Sequence, residues 1–298
     1  MKKIASFLKK NLFLIFLLML LIAADIVLTR TNPLQYCDSI HKDDFELTRL
    51  AHPEEVWDKV FFGNSSVISG YLEDESIAGY VNLGMDYGMV TSIKEMLEEG
   101  HITVGSELVL GLNWDSMYDE MATDPTYAWH KDWYEPYFYF QRDRLNYLIT
   151  NGITRKLHGW SFFTHYYAEH PDGKEVYHGI MSDEDMAARN ERLYNLFWSN
   201  GTGMYEENLA ALADVFDFCE KNGIRVRVVW LPWNPDVPQN ECDLYVYGRT
   251  MELCSLRGVE FYDMTNALPV ECFHDTGHLN YEVGAPTFTE MIDPWLIS

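Results

Sequence analysis

Apolar positions from Asp58 to Phe62 run into Gly63-Asn64-Ser65, and those from Ala78 run into Asn82-Leu83-Gly84; each stretch reads as a short buried strand closed by turn residues. The period then changes. "MVTSIKEMLEEG" (89–100) has helical composition and stops at Gly100, and "SELVLGLN" (106–113) returns to a strand. The same alternation recurs toward the C-terminus. Tyr205, Leu209, Leu212, Phe216 and Cys219 follow helical spacing up to Gly223, and "IRVRVVWLP" (224–232) is a strand that Pro232 closes. A helix over 247–258, a strand over 259–265 and a helix over 288–296 complete the pattern. Pro286 would break an interior turn, so the last helix should start near Ala285 and leave "HLNYEVG" (278–284) as a loop. Strands alternating with helices predict an α/β three-layer sandwich around a central parallel sheet.

Two segments depart from this pattern. Residues 114–204 show no clean period and hold 20 of the 44 aromatic residues, which predicts an aromatic-rich insertion over the sheet. Most of these rings suit the insertion's own packing; a minority could stack on sugar faces. The N-terminus carries Lys2-Lys3 and Lys9-Lys10, then an apolar stretch from Leu12 to Leu28 interrupted only by Asp25. That is near the minimum for crossing a bilayer core, with the lysines on the cytoplasmic side. Residues 1–30 therefore read as a cytoplasmic stub and a transmembrane signal anchor, and 31–298 as an extracytoplasmic domain. The alternative is a signal peptide cut near Ile22-Ala23-Ala24.

Charge narrows the partners. The net charge is -24, a surface balance that repels nucleic acid and anionic headgroups. The five cysteines form no CxxC pair, so neither a zinc ribbon nor a thioredoxin motif is present; in an exported domain two could oxidise, Cys242 with Cys254 for example. His274 and His278 have a zinc-binding spacing if helical, but Thr276-Gly277 between them argue for a loop. Asn64-Ser65-Ser66 and Asn200-Gly201-Thr202 match the glycosylation tripeptide, a pattern that chance supplies often.

Parallel α/β sheets bind ligands at the carboxyl ends of their strands. There the first strand delivers Ser65, the second Asn82 to Gly84 with Gly88 just beyond, and the third Asn113; "HDTGHLN" delivers Asp275 and His278 before the last helix. Ser65 and Ser66 are also of the type that caps a following helix.

Taken together, Gly63-Asn64-Ser65, Gly111-Leu112-Asn113-Trp114 and Asp275-Thr276-Gly277-His278 resemble the motif blocks of the SGNH (GDSL-type) hydrolases. Asn64 stands where that family has Asp, and Trp114 replaces the Asp of its third block. The likeness covers residues 58–113 and 205–298 and leaves the insertion outside. It implies an SGNH/flavodoxin-like sheet with Ser65 as nucleophile, His278 as its base and Asp275 as the group that orients the imidazole. It further implies an oxyanion hole from the N–H groups of Ser65 and Gly88, with Gly84 as the alternative glycine, and the side chain of Asn113; no cofactor is required. The exchanges at 64 and 114 are expected to leave these roles untouched. The N-terminal span brings the chain nearest the membrane-anchored branch that includes the D-alanyl transfer protein of teichoic acid operons and the alginate O-acetylation proteins. That likeness implies acyl transfer or ester hydrolysis on a cell-envelope polysaccharide or teichoic-acid-like acceptor, beside a membrane-bound O-acyltransferase. A glycan-binding or assembly protein that kept the fold without the chemistry is the alternative, and it does not require the three groups to meet.

Overall fold

The computed structural model describes residues 10–31, 44–120, 143–159, 174 and 176–298. Cys37, His165, His170 and the densest aromatic run, 129–140, lie outside the described residues. The elements in order are α1 (Leu12–Thr31), α2 (Asp44–Ala51), β1 (Trp57–Gly63), α3 (Ser65–Gly70), β2 (Val81–Gly84), α4 (Val90–Glu98), β3 (Val104–Leu112) and α5 (Asp143–Leu157). They continue with α6 (Asp183–Leu196), α7 (Glu206–Asn222), β4 (Arg225–Trp230), α8 (Glu241–Arg257), β5 (Glu260–Asp263) and α9 (Gly284–Ile297). The chain divides into two units, one holding α1 and α5 and the other, Asp43–Ala128 with Ala168–Ser298, holding the sheet. In the first, α1 is a 20-residue apolar helix, about 30 Å at 1.5 Å per residue, long enough to cross a membrane.

All five strands are parallel, in the order β2-β1-β3-β4-β5. The chain runs outward from β1 to β2, then returns past β1 to β3, so the order reverses beside β1 and opens a crevice at the carboxyl ends there. Crossovers of one hand on either side of that reversal put helices on both faces. Phe61, Val109 and Val229 point to the face where Val67 of α3, Tyr71 just after it, and Phe288, Ile292 and Leu296 of α9 pack. On the other side α4 packs against α7, and α7 against α8. Central strands buried on both faces explain the continuous apolar runs in β1 and β3.

Arg227 lies mid-strand in β4, fully buried. Its Nε donates to Glu107 Oε1 (2.5 Å), its Nη2 to Tyr80 Oη (2.9 Å), and its Nη1 and Nη2 to the carbonyls of Trp295 and Leu296, while its guanidinium lies 4.3 Å over the Trp295 ring. One side chain thus ties β4, β3 and the residue before β2 to the C-terminal carbonyls of α9, which lack intrahelical donors. Arg227→Leu takes from the buried Glu107 carboxylate its closest countercharge, leaving Arg225 at 3.6 Å and the Tyr80 hydroxyl, and we expect a loss of about 3 kcal/mol in unfolding free energy, read from denaturant midpoints. Adding Glu107→Leu should restore part of it, because the stranded charge is then removed as well.

Differences from the sequence pattern are local. β2 starts at Val81 because Gly79 takes the left-handed conformation (φ +74) and holds 78–80 out of the strand. α8 starts at Glu241, six residues before the predicted 247, where Asn240 caps it by accepting from the N–H groups of Cys242 and Asp243. α9, by contrast, starts at Gly284, one residue from the expected Ala285, so Pro286 falls in the first turn, where no intrahelical donor is needed. Cys219, Cys242, Cys254 and Cys272 are free and buried, so the suggested Cys242–Cys254 bond is not formed. Burial pushes the thiols of Cys219 and Cys254 up to about 12, making them neutral packing groups.

Candidate active site

Three glycines prepare the surface on which the site is built. Gly84, Gly63 and Gly111 lie in one cross-strand row at the carboxyl ends of β2, β1 and β3. A Cβ at Gly84 would stand 2.6 Å from the backbone N of Ile68, and at Gly63 or Gly111 it would stand 2.2 or 2.5 Å from Val67 Cγ2. The missing side chains let α3 settle directly onto the strand ends, and Asn82 pins it by donating to the carbonyl of Tyr71 (2.7 Å). Gly84→Ala should therefore lift the helix that carries Ser65; we expect about 1–3 kcal/mol of destabilisation by thermal melting.

The cap of α3 is Asn64. Its Oδ1 accepts from the Ser66 N–H (3.0 Å), which leaves the Ser65 hydroxyl at the first helical position uninvolved in capping. Ser65 Oγ lies 2.7 Å from His278 Nε2, and His278 Nδ1 lies 2.8 Å from Asp275 Oδ2. The carboxylate fixes the tautomer: Nδ1–H donates to Asp275, so Nε2 accepts from Ser65. The three side chains are buried but not sealed, Ser65 and His278 each being 8% exposed and Asp275 1%.

Asp275 is held from several sides. Its Oδ1 accepts the N–H groups of Gly277 (3.0 Å) and His278 (2.9 Å), and its carbonyl accepts from Asn234 Nδ2 (2.9 Å) in the loop after β4. Burial pushes this carboxyl upward, yet the charge and hydrogen bond of His278 and the charge of Arg189 outweigh it and hold the group well below the usual carboxylate range. Asn280 holds the other side of the loop, accepting the N–H groups of Val283 and Gly284 at the start of α9.

Two more groups come from the segment that showed no period. The Tyr177 ring stacks on the His278 imidazole with centroids 4.2 Å apart, and the Tyr177 carbonyl accepts the Tyr281 N–H (2.8 Å). Arg189 on α6 places Nε 3.1 Å from Asp275 Oδ2, a charge pair without hydrogen-bond alignment, and Nη2 3.4 Å from His278 Nδ1. Both atoms of that last contact carry protons, so Arg189 acts on the imidazole by charge. Thr276 joins the same helix by donating to Asn190 Oδ1 (2.7 Å).

The groups expected to donate to an oxyanion differ in what their N–H bonds reach. Asn113 lies beside the serine turn and donates through Nδ2 to Ser66 Oγ (3.2 Å). The Ser65 N–H opens α3 and has no intrahelical acceptor. Gly88, however, donates its N–H to the Met85 carbonyl (2.9 Å), and Gly84 donates to Asn82 Oδ1 (2.8 Å). Neither glycine presents a free N–H. What Gly88 supplies is close approach, since a Cβ there would lie 2.6 Å from the Gly63 carbonyl. The turn it closes holds Tyr87 at φ +56, a left-handed conformation that is uncommon for a residue with a side chain.

Asp115, one residue beyond the position compared with the third motif block, also enters the site, accepting from Asn64 Nδ2 in a short contact. Desolvation pushes its carboxyl up to about 6 against the lowering charges of His278 and Arg189. His274 does not pair with His278 as a metal ligand would; its Nδ1–H turns to the His178 carbonyl (2.9 Å), and among the described residues no group of three metal-ligating side chains converges. Asn64 is 1% exposed, so its glycosylation tripeptide is closed to modification in the folded chain. No family model and no curated protein matches this sequence.

Proposed function

We propose that this chain is a serine-dependent acyltransferase or esterase of SGNH type. The observation that carries the reading is the continuous hydrogen-bond chain Ser65–His278–Asp275, 2.7 and 2.8 Å long, at the carboxyl ends of a parallel sheet. A binding protein that had lost the chemistry would have no need of it. In the reaction, Ser65 passes its proton to His278 Nε2 as Oγ attacks the acyl carbonyl, and Asp275 stabilises the imidazolium that forms. The tetrahedral oxygen takes its hydrogen bonds from the Ser65 N–H and the Asn113 side chain. His278 then returns the proton to the leaving oxygen, giving an acyl-serine that a second hydroxyl, from water or a sugar, resolves.

The apolar α1 supports a membrane-anchored placement with the catalytic unit outside the cytoplasm. On that reading the acceptor is a cell-envelope polysaccharide or a teichoic-acid-like polymer, and the acyl donor is delivered by a membrane-bound O-acyltransferase. Incubating the detergent-solubilised chain with a fluorophosphonate and with p-nitrophenyl acetate tests the chemistry. The expected result is a single covalent adduct on the peptide containing Ser65, with turnover of the ester blocked by the label. Labelling elsewhere, or turnover that survives full labelling, would remove Ser65 from the mechanism.

A further inference from the structure

Asn64 occupies the position where the motif comparison expects Asp, and the structure gives the exchange a function. Amide orientation is set by partners whose direction is unambiguous. The backbone N–H of Ser66 donates to one end of the Asn64 side chain, so that end is Oδ1 and the other is the NH2. That NH2 has two hydrogens and two acceptors: Asn113 Oδ1 at 2.8 Å and Asp115 Oδ1 in the short contact above. Asn113 is settled the same way, because the backbone N–H of Ser116 donates to its Oδ1 (3.1 Å). With two donors on its oxygen, Asn113 has to turn its NH2 the other way, toward Ser66 Oγ, one residue beyond Ser65. Ser116 fixes the base of the arrangement, its hydroxyl accepting from the Asn113 N–H (3.0 Å) and bonded to the Asn113 carbonyl (3.0 Å). Asn64 and Ser116 are buried to 1% and 0% exposure, so water does not readily replace a missing partner.

We propose that Asn64, held from its far side by Asp115, is a positioning residue that aims the Asn113 amide at the oxyanion. The inference rests on the reading of Ser65 as nucleophile and goes beyond it, by making the departure from the Asp motif a requirement of this chain. A carboxylate at position 64 would have no proton to offer Asn113 Oδ1, while Asp115, which burial already pushes upward, would take up a proton beside the new charge and donate it to position 64. Asn113 would relieve the clash by rotating its NH2 toward position 64 and away from Ser66.

Restoring the motif residue with Asn64→Asp, which keeps an oxygen for the Ser66 N–H, should therefore lower kcat for p-nitrophenyl acetate about 10²–10³-fold, the effect of losing one oxyanion donor, with KM within about threefold. Asn64→Ser adds no charge and keeps a capping oxygen, but its single O–H on a side chain one atom shorter cannot serve both Asn113 Oδ1 and Asp115, so it should do the same; it carries the test if Asn64→Asp folds poorly. The decisive readout is a double-mutant cycle with Asn113→Ala, since a residue that acts only through Asn113 has nothing left to lose once that side chain is gone. We expect either Asn64 substitution to cost less than about threefold in the Asn113→Ala background. Multiplying losses, or Asn64 variants with unchanged kcat, would overturn the proposal. Ser65→Ala run alongside separates the two readings: if it leaves activity intact the nucleophile is wrong, and if it abolishes activity while the Asn64 variants do not, only the positioning role is wrong.

Discussion

Ser65→Ala should reduce kcat for an activated acyl ester about 10⁶-fold while leaving the melting temperature nearly unchanged. The kinetic half of this expectation follows from geometry, because no other hydroxyl lies within hydrogen-bond reach of His278 among the described residues. Ser66 is adjacent, but its Oγ accepts from Asn113 (3.2 Å), whereas the imidazole's acceptor nitrogen is bonded to Ser65. The stability half follows from the capping arrangement. A serine that capped α3 would cost roughly 1 kcal/mol on replacement, whereas here Asn64 performs that task and alanine suits the first helical position well. Circular dichroism melts and initial rates on the same preparations check both halves. A variant that keeps more than a tenth of the wild-type rate would defeat the assignment, and one that loses several degrees of melting temperature would show that the hydroxyl has a structural task.

The alternation of short apolar runs with helical periods was enough to place a parallel α/β sheet, since strands buried on both faces and helices with one buried stripe leave different signatures. Chain ends of those runs also marked Ser65, Asn113, Asp275 and His278, which the fold draws together from positions up to 213 apart. Other parts were not legible for identifiable reasons. α3, six residues long, is too short to display a helical period, and its seating depends on a row of glycines whose alignment appears only once the strands are in register. α6 is mostly polar and buries none of its residues, so it carries no apolar stripe to mark it, and Arg189 and Tyr177 gave no sign that they flank the imidazole. The Gly88 N–H that the motif resemblance implies for an oxyanion is used by the Met85–Gly88 turn, a choice of turn geometry that residue types alone do not fix. The exchange at Asn64 looks neutral in sequence because its partners, Asn113 and Asp115, are neighbours only in space.

Asp275→Asn is the second substitution with a large expected effect, a fall of about 10⁴ in kcat, and Arg189 shapes how it should look. In the wild type the Asp275 carboxyl is held ionised far below neutral pH, so Asp275 itself contributes no acidic limb to the activity profile. An amide there still accepts the backbone N–H groups of Gly277 and His278 through its oxygen, so the loop should keep its shape. It then turns its NH2 toward His278 Nδ1, which favours the tautomer with the proton on Nε2, the nitrogen that must accept from Ser65. A second penalty comes from the Arg189 guanidinium, 3.4 Å from Nδ1, which loses its countercharge and opposes the imidazolium that the transition state requires. Raising the pH should not rescue the variant, because the fault lies in where the imidazole's proton sits and not in how many protons it holds. Adding Arg189→Gln should rescue part of it, by lifting the opposing charge, although Arg189→Gln alone changes kcat much less than Asp275→Asn does. Equal losses in Asp275→Asn with and without Arg189 would mean that the guanidinium is too well solvated to act on the ring, and would reduce its contribution to docking α6 beside the loop.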